Sequence, residues 1–89
     1  MPTVRNMQSP RSGNPVANQF VITTDEGRYF QSYYTTIAFV DNNGKVSMDS
    51  EYWNHSRTTS KYRNIFLGTN TDETKEKIQS GEIKLSQLN

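Results

Sequence analysis

The stretch N-Q-F-V-I-T-T-D-E-G-R-Y-F-Q-S-Y-Y-T-T-I-A-F-V-D-N-N-G-K-V-S-M, Asn18 to Met48, decides the fold through its turn residues. Gln19 to Thr24 is β-branched and aromatic, with Phe20 and Ile22 on one face and Val21 and Thr23 on the other. Asp25-Glu26-Gly27 is a turn in which glycine supplies backbone freedom. Arg28 to Tyr34 returns as a second strand, with Tyr29, Gln31 and Tyr33 alternating against Phe30, Ser32 and Tyr34. Thr35 to Val40 is a third extended run, or a bulged continuation of the second. Asp41-Asn42-Asn43-Gly44 is the strongest turn signal in the chain. Lys45 to Met48 follows as a short strand with Val46 and Met48 on one face. Short connections of this kind give a β-meander.

Downstream the period changes. Asp49 to Ser56 reads either as another strand or as an irregular connection in which Tyr52 and Trp53 plug the core. Thr58 to Leu67 reads as a helix, capped by Thr58, Thr59 or Ser60 and closed by Gly68. Tyr62, Ile65 and Phe66 form its apolar stripe, and Arg57, Lys61 and Asn64 share the opposite face. Thr71 to Ser80 reads as a second helix, capped by Thr71 and closed by Gly81, with Asp72 and Glu73 in its first turn. Ile83 and Leu85 alternate as in a final strand, while Leu85 and Leu88 suit a short helical turn. Upstream, Pro2, Pro10, Gly13 and Pro15 punctuate a polar segment, so residues 1–17 are expected to be a flexible or extended N-terminal arm. Residues 18–89 are then a single small domain. The expected class is α+β: a small antiparallel sheet, a meander of three to five strands, followed by two short C-terminal helices. Phe20, Phe30, Phe39, Trp53 and Phe66 are its expected core aromatics.

Composition narrows the chemistry. Eighty-nine residues at 31% hydrophobic content hold one modest core, which homo-oligomerisation would help. The absence of cysteine excludes disulfides, thiolate catalysis and cysteine-ligated zinc, and suits a cytoplasmic setting. No apolar run approaches the roughly 18–20 residues of a membrane span, and no signal peptide is read at the N-terminus. The sole histidine, His55, stands beside Trp53 with no nucleophile elbow around any serine, so no catalytic residue is assigned. Asp49 and Glu51 alone make no metal site. No enzyme activity and no cofactor are expected.

The net charge is +1, but three of the ten basic residues, Arg57, Lys61 and Arg63, fall between Tyr52 and Leu67. They stand with the hydroxyls Thr58, Thr59 and Ser60 at a helix start, where free N–H groups and the macrodipole attract anions. These six residues are the expected contact for a partner or a phosphate. Tyr33, Tyr34 and Tyr62 are the candidate aromatic contacts. Tyr33 and Tyr34 are adjacent, so at least one of them should point outward from a strand. A protein interface uses Tyr, Trp and Arg as anchors; a nucleic-acid or nucleotide site uses the same rings for stacking and the cations for phosphates.

Four segments resemble short proteins of phages, prophages and other mobile elements, a group usually labelled as of unknown function. They are S-G-N-P-V-A-N-Q-F-V-I (Ser12 to Ile22), Y-F-Q-S-Y (Tyr29 to Tyr33), Y-W-N-H-S-R-T-T-S-K-Y-R-N-I-F-L-G (Tyr52 to Gly68) and T-K-E-K-I-Q-S-G-E (Thr74 to Glu82). The resemblance implies a phage-related origin and the host cytoplasm as the setting. It supplies no reaction and no catalytic residue. Small phage accessory proteins often act by binding, blocking a host enzyme or defence complex or sequestering a nucleotide signal. The expectation is therefore a non-enzymatic accessory protein that binds a host protein, an inhibitor of a host defence system. Binding of nucleic acid or a nucleotide through residues 56–63 is the alternative.

Overall fold

The computed structural model describes residues 2–89. In chain order the elements are β1 (Thr3–Gln8), β2 (Pro15–Thr24), β3 (Gly27–Ser32), β4 (Thr35–Asp41), β5 (Val46–Asp49), α1 (Arg57–Leu67), α2 (Thr71–Ser80) and β6 (Ile83–Ser86). The first five strands run as an antiparallel meander in sequence order, and β6 adds in parallel beside β5. A parallel neighbour needs a crossover, and the two helices supply it. The fold is α+β, a mostly antiparallel sheet carrying two helices. It has six strands where the sequence suggested three to five.

The additional strand is β1, whereas β6 is the final strand that the alternation of Ile83 and Leu85 suggested. Thr3–Gln8 pairs with β2 along the sheet edge, so the boundary expected at residue 17 falls inside β2. The breakers Pro10 and Gly13 lie in the hairpin loop, where the Ser9 N–H donates to the Asn14 carbonyl and the Gly13 N–H to that of Ser9, both at 2.8 Å. Strand propensity in T-V-R-N-M-Q is weak; pairing with the strongly β-forming β2 decides its state.

Alternation along β2 sets the core. Val21 is buried and its neighbours Phe20 and Ile22 are half-buried on the opposite face. Val21 joins Met7, Phe30, Ile37, Ala38, Met48, Tyr62, Phe66 and Ile83 beneath the helices. Phe30 is fully buried and stacks on Phe66 with ring centroids 5.8 Å apart. Ile37 and Ala38 are both buried although adjacent, because the β3–β4 register shifts between Phe30 and Gln31. The other face carries a cross-strand row of Val4, Ile22, Tyr29 and Phe39, in which Tyr29 and Phe39 stack at 4.5 Å. Phe20, Phe39 and Trp53, expected in the core, are thus only half-buried. Gly27 is required where β3 meets β4: a Cβ there would stand 2.2 Å from the Val40 carbonyl oxygen.

Residues 50–56 form an irregular connection, with Tyr52 and Trp53 packed against the edge of the core. Asp49, 3% exposed, organises it by accepting from the backbone N–H groups of Glu51 (3.1 Å), Tyr52 (2.9 Å) and Leu88 (3.0 Å) and from the Asn89 amide (3.1 Å).

Gln19 points into the core fully buried, and neither its amide oxygen nor its nitrogen has a hydrogen-bond partner within the protein. Burying an amide without a partner costs about 1–3 kcal/mol. Gln19→Met, which keeps the volume and removes the polar atoms, is therefore expected to stabilise the fold by about 1 kcal/mol. A urea titration reads this as a higher midpoint at unchanged slope. A lower midpoint would mean that the amide is satisfied in solution.

Candidate functional site

The expected site residues lie in the first two turns of α1 and at the β3–β4 turn. The cap of α1 is Ser56, whose Oγ accepts from the Thr59 N–H at 3.2 Å. This shifts the start upstream of the Thr58, Thr59 or Ser60 expected from sequence. Thr59 is instead 2% exposed, and its hydroxyl lies 3.3 Å from that of Ser32, tying the helix to the end of β3. Ser60 donates to Asn54 Oδ1 at 2.7 Å. Two of the three hydroxyls expected to serve a ligand are thus engaged within the fold, and Thr58 is exposed.

The three expected cations separate in the same way. Arg57 and Lys61 are exposed, and Lys61 Nζ lies 5.4 Å from the centre of the Tyr62 ring. Arg63 is fully buried. Its Nη1 donates to the Trp53 carbonyl (2.7 Å) and Asn54 Oδ1 (3.1 Å), and its Nη2 to Asn64 Oδ1 (3.0 Å) and Thr71 Oγ1 (3.1 Å). The guanidinium also lies 5.3 Å from the Trp53 ring centre. Burial pushes its pKa down from the ordinary value, but an arginine so provided with acceptors stays a cation. Arg63 is therefore a structural tie between the β5–α1 connection and the start of α2, not a contact. Tyr62, 5% exposed, is likewise a core residue. Helical geometry explains both: Thr59, Tyr62, Arg63 and Phe66 share the inward face of α1, while Arg57 and Lys61 share the outward one. Ile65, expected in the apolar stripe, is 44% exposed. Thr71 serves Arg63 and Asn64 through its hydroxyl, and Asn70 caps α2 in its place.

Tyr33 and Tyr34 form the two-residue turn between β3 and β4, bracketed by the Ser32–Thr35 pair. Such turns favour Asn-Gly or Gly because positive φ is needed. Here Tyr33 takes φ 57°, held by its N–H to the Asn18 carbonyl (2.7 Å) and by the Gln31 amide on its own carbonyl (2.7 Å). The left-handed region costs an ordinary residue about 1–2 kcal/mol. Tyr33 is 55% exposed and Tyr34 98% exposed, so a strained turn holds a phenol almost entirely in solvent.

A cleft of about 190 Å³ connects this turn to the helix start, lined by Ser32, Tyr33, Thr35, Ile37, His55, Ser56 and Thr59. It is smaller than the roughly 300–1,000 Å³ of small-molecule pockets and suits a single inserted side chain. No carboxylate lines it. His55 stands edge-on to Tyr52 at 5.5 Å between centroids. The cleft offers aromatic, hydroxyl and imidazole groups side by side. Among the described residues no group of three or more His, Cys, Asp or Glu is placed to hold a metal ion, and no helix is long and apolar enough to cross a membrane. The sequence signals Asp25-Glu26-Gly27 and Asp41–Gly44 announce their turns. Tyr33-Tyr34 carries no turn residue, so its exposure at a hairpin tip was not readable from residue types.

Fold and site together define a small α+β domain with an aromatic hairpin tip beside the basic start of a helix. The chain belongs to a family of unknown function (DUF8033), which it matches over residues 3–82, a span that takes in β1, the tip and both helices. No curated protein and no solved structure matches it.

Proposed function

We propose that this protein is a non-enzymatic binding module that docks on another protein through the Tyr33–Tyr34 tip and the outward face of the first turn of α1. The observation that carries this reading is Tyr34, 98% exposed in a turn that keeps its neighbour at positive φ. Strained backbone persists where surrounding structure over-determines it, and it clusters at functional sites. Tyrosine and arginine are favoured interface anchors, and burying an aromatic ring with its hydroxyl satisfied is a strong local gain. Arg57, Thr58 and Lys61 are exposed on the same helix whose Thr59 lines the cleft beside Tyr33, and they would supply the polar part of the contact. The resemblance to short phage and mobile-element proteins supports a host protein as the partner and a component of a host defence system as the favoured kind.

The test is capture from host lysate on immobilised protein. Wild type should retain a discrete partner, and Tyr34→Ala should weaken that binding by about 30-fold, the size of a hot-spot loss of about 2 kcal/mol. Arg57→Ala/Lys61→Ala should weaken it less. All three proteins should melt alike because these side chains are exposed. Equal recovery by wild type and variants would sink the reading.

Binding of nucleic acid or a nucleotide is the second reading, favoured by Arg57 and Lys61 on a helix whose first turn holds no acid. With Arg63 buried, two cations remain, so the affinity for single strands should fall with a log–log salt slope of only about −1.4. The absence of any gel shift at low salt would dismiss it.

A further inference from the structure

The helices do not cover the whole core side of the sheet. α1 lies over β3 and β4, and α2 packs beside β6. The core side of β1 and β2 is left as a groove of about 350 Å³, lined by Arg5, Met7, Gln8, Ser9, Pro10, Val21, Arg28, Ile65 and Phe66. Its floor is apolar: Met7 and Val21 are 5% and 4% exposed, and Ile65 offers a 44% exposed side chain from the wall. Its charge has one sign. Arg5 pairs with Val21 across β1–β2, Arg28 pairs with Thr23 across β2–β3, and no acidic residue lines the groove. The Arg28 guanidinium lies 5.3 Å from the Phe66 ring centre, which leaves its N–H edges for an acceptor. The outer edge of β1 borders the groove and, among the described residues, has no strand beside it.

We infer that this groove is a second binding surface and that its occupant is an extended acidic segment of a partner protein, added as a strand along the open edge of β1. An exposed strand edge accepts such a segment through backbone hydrogen bonds, and side chains alternating with period two provide the selection. A carboxylate on the added strand reaches Arg5 in a charge-assisted, forked hydrogen bond, and Arg28, two strands further in, adds to the positive field of the groove. An apolar side chain two residues away lies over Met7, Val21 and Ile65. An inward-pointing arginine on an edge strand discourages indiscriminate pairing; here it leaves an acidic strand as the one that fits. The groove is open to solvent along its length, which suits a chain segment better than a small molecule, whose sites bury most of the ligand. None of its lining residues belongs to the hairpin-tip cleft.

Selection of random linear peptides displayed against the intact protein tests this. Enriched sequences should carry Asp or Glu two residues from Leu, Met or Phe. A synthetic peptide of the enriched sequence, followed by fluorescence anisotropy, should lose at least about tenfold in affinity for Arg5→Gln/Arg28→Gln, a loss typical of a charge-assisted pair. Tyr34→Ala should bind it as wild type does, so failure of this surface and failure of the tip are separately visible. Selection without acidic enrichment, or the same peptides recovered by the double variant, would overturn the inference. So would binding of free phenylbutyrate in the groove with no peptide bound.

Discussion

Arg63→Ala is expected to destabilise the protein by about 3 kcal/mol or more, the largest single effect of any polar side chain here. The substitution removes four donated hydrogen bonds at once and leaves the Trp53 carbonyl and Asn64 Oδ1 without their donor. It also opens a cavity beneath Trp53. A domain of this length loses about 4–8 °C of Tm per kcal/mol, so the variant should melt well below wild type or fail to fold. Arg63→Lys should recover little, because an ammonium cannot span Trp53 and Asn54 on one side and Asn64 and Thr71 on the other. Thermal denaturation of the three proteins checks this. An Arg63→Ala protein that melts like wild type but loses its partner would show a surface contact instead.

The second large effect concerns Asp49. Burial alone would raise its pKa, but the backbone N–H groups of Leu88, Tyr52 and Glu51 and the Asn89 amide stabilise the carboxylate and hold it below the ordinary 3.8. A carboxyl group with a depressed folded pKa contributes stability that is fully present above the unfolded pKa and is lost as pH falls through the folded one. Stability should therefore be flat in this respect near neutrality and fall below the ordinary carboxylate value. Asp49→Asn should be less stable at pH 7, by about 2 kcal/mol, because its NH₂ group faces donors where an oxygen accepted. It should also lack the acid-dependent component, so the two stability curves converge as pH falls. Urea midpoints at a series of pH values measure this. Parallel curves would mean that Asp49 is solvated and that the Leu88–Asn89 end is held by other contacts.

The meander was legible because its turns carry Gly27 and Asn42-Asn43-Gly44, residues chosen for backbone geometry. Both helices were legible from their glycine stops. β1 was not, because its strand state depends on partners seven to twenty residues away in the chain rather than on its own residues. The face of β2 was readable as alternation but not as direction: Val21 inward and Phe20 outward follows from where the helices pack, which no local pattern encodes. The candidate site divides along the same line. Arg57 and Lys61 kept the exposure expected of them, while Arg63 turned inward because the register of α1 sets it on the side of Thr59, Tyr62 and Phe66. A charged residue in a basic cluster reads as a contact in one dimension, and only its place on the helix shows that it is a tie. Tyr33-Tyr34 was flagged for adjacency alone; its position in a two-residue turn, with one ring wholly exposed, is a product of β3–β4 pairing.

The claim that the hairpin tip is the contact surface is tested most directly by photo-cross-linking in the cells that naturally contain the protein, with a benzophenone amino acid at position 34 and, separately, at position 76. Tyr34 lies at the tip and Glu76 is exposed on α2. The predicted result is a discrete adduct of one protein from position 34 and none from position 76. Adducts from position 76 alone, or the same adducts from both positions, would contradict it.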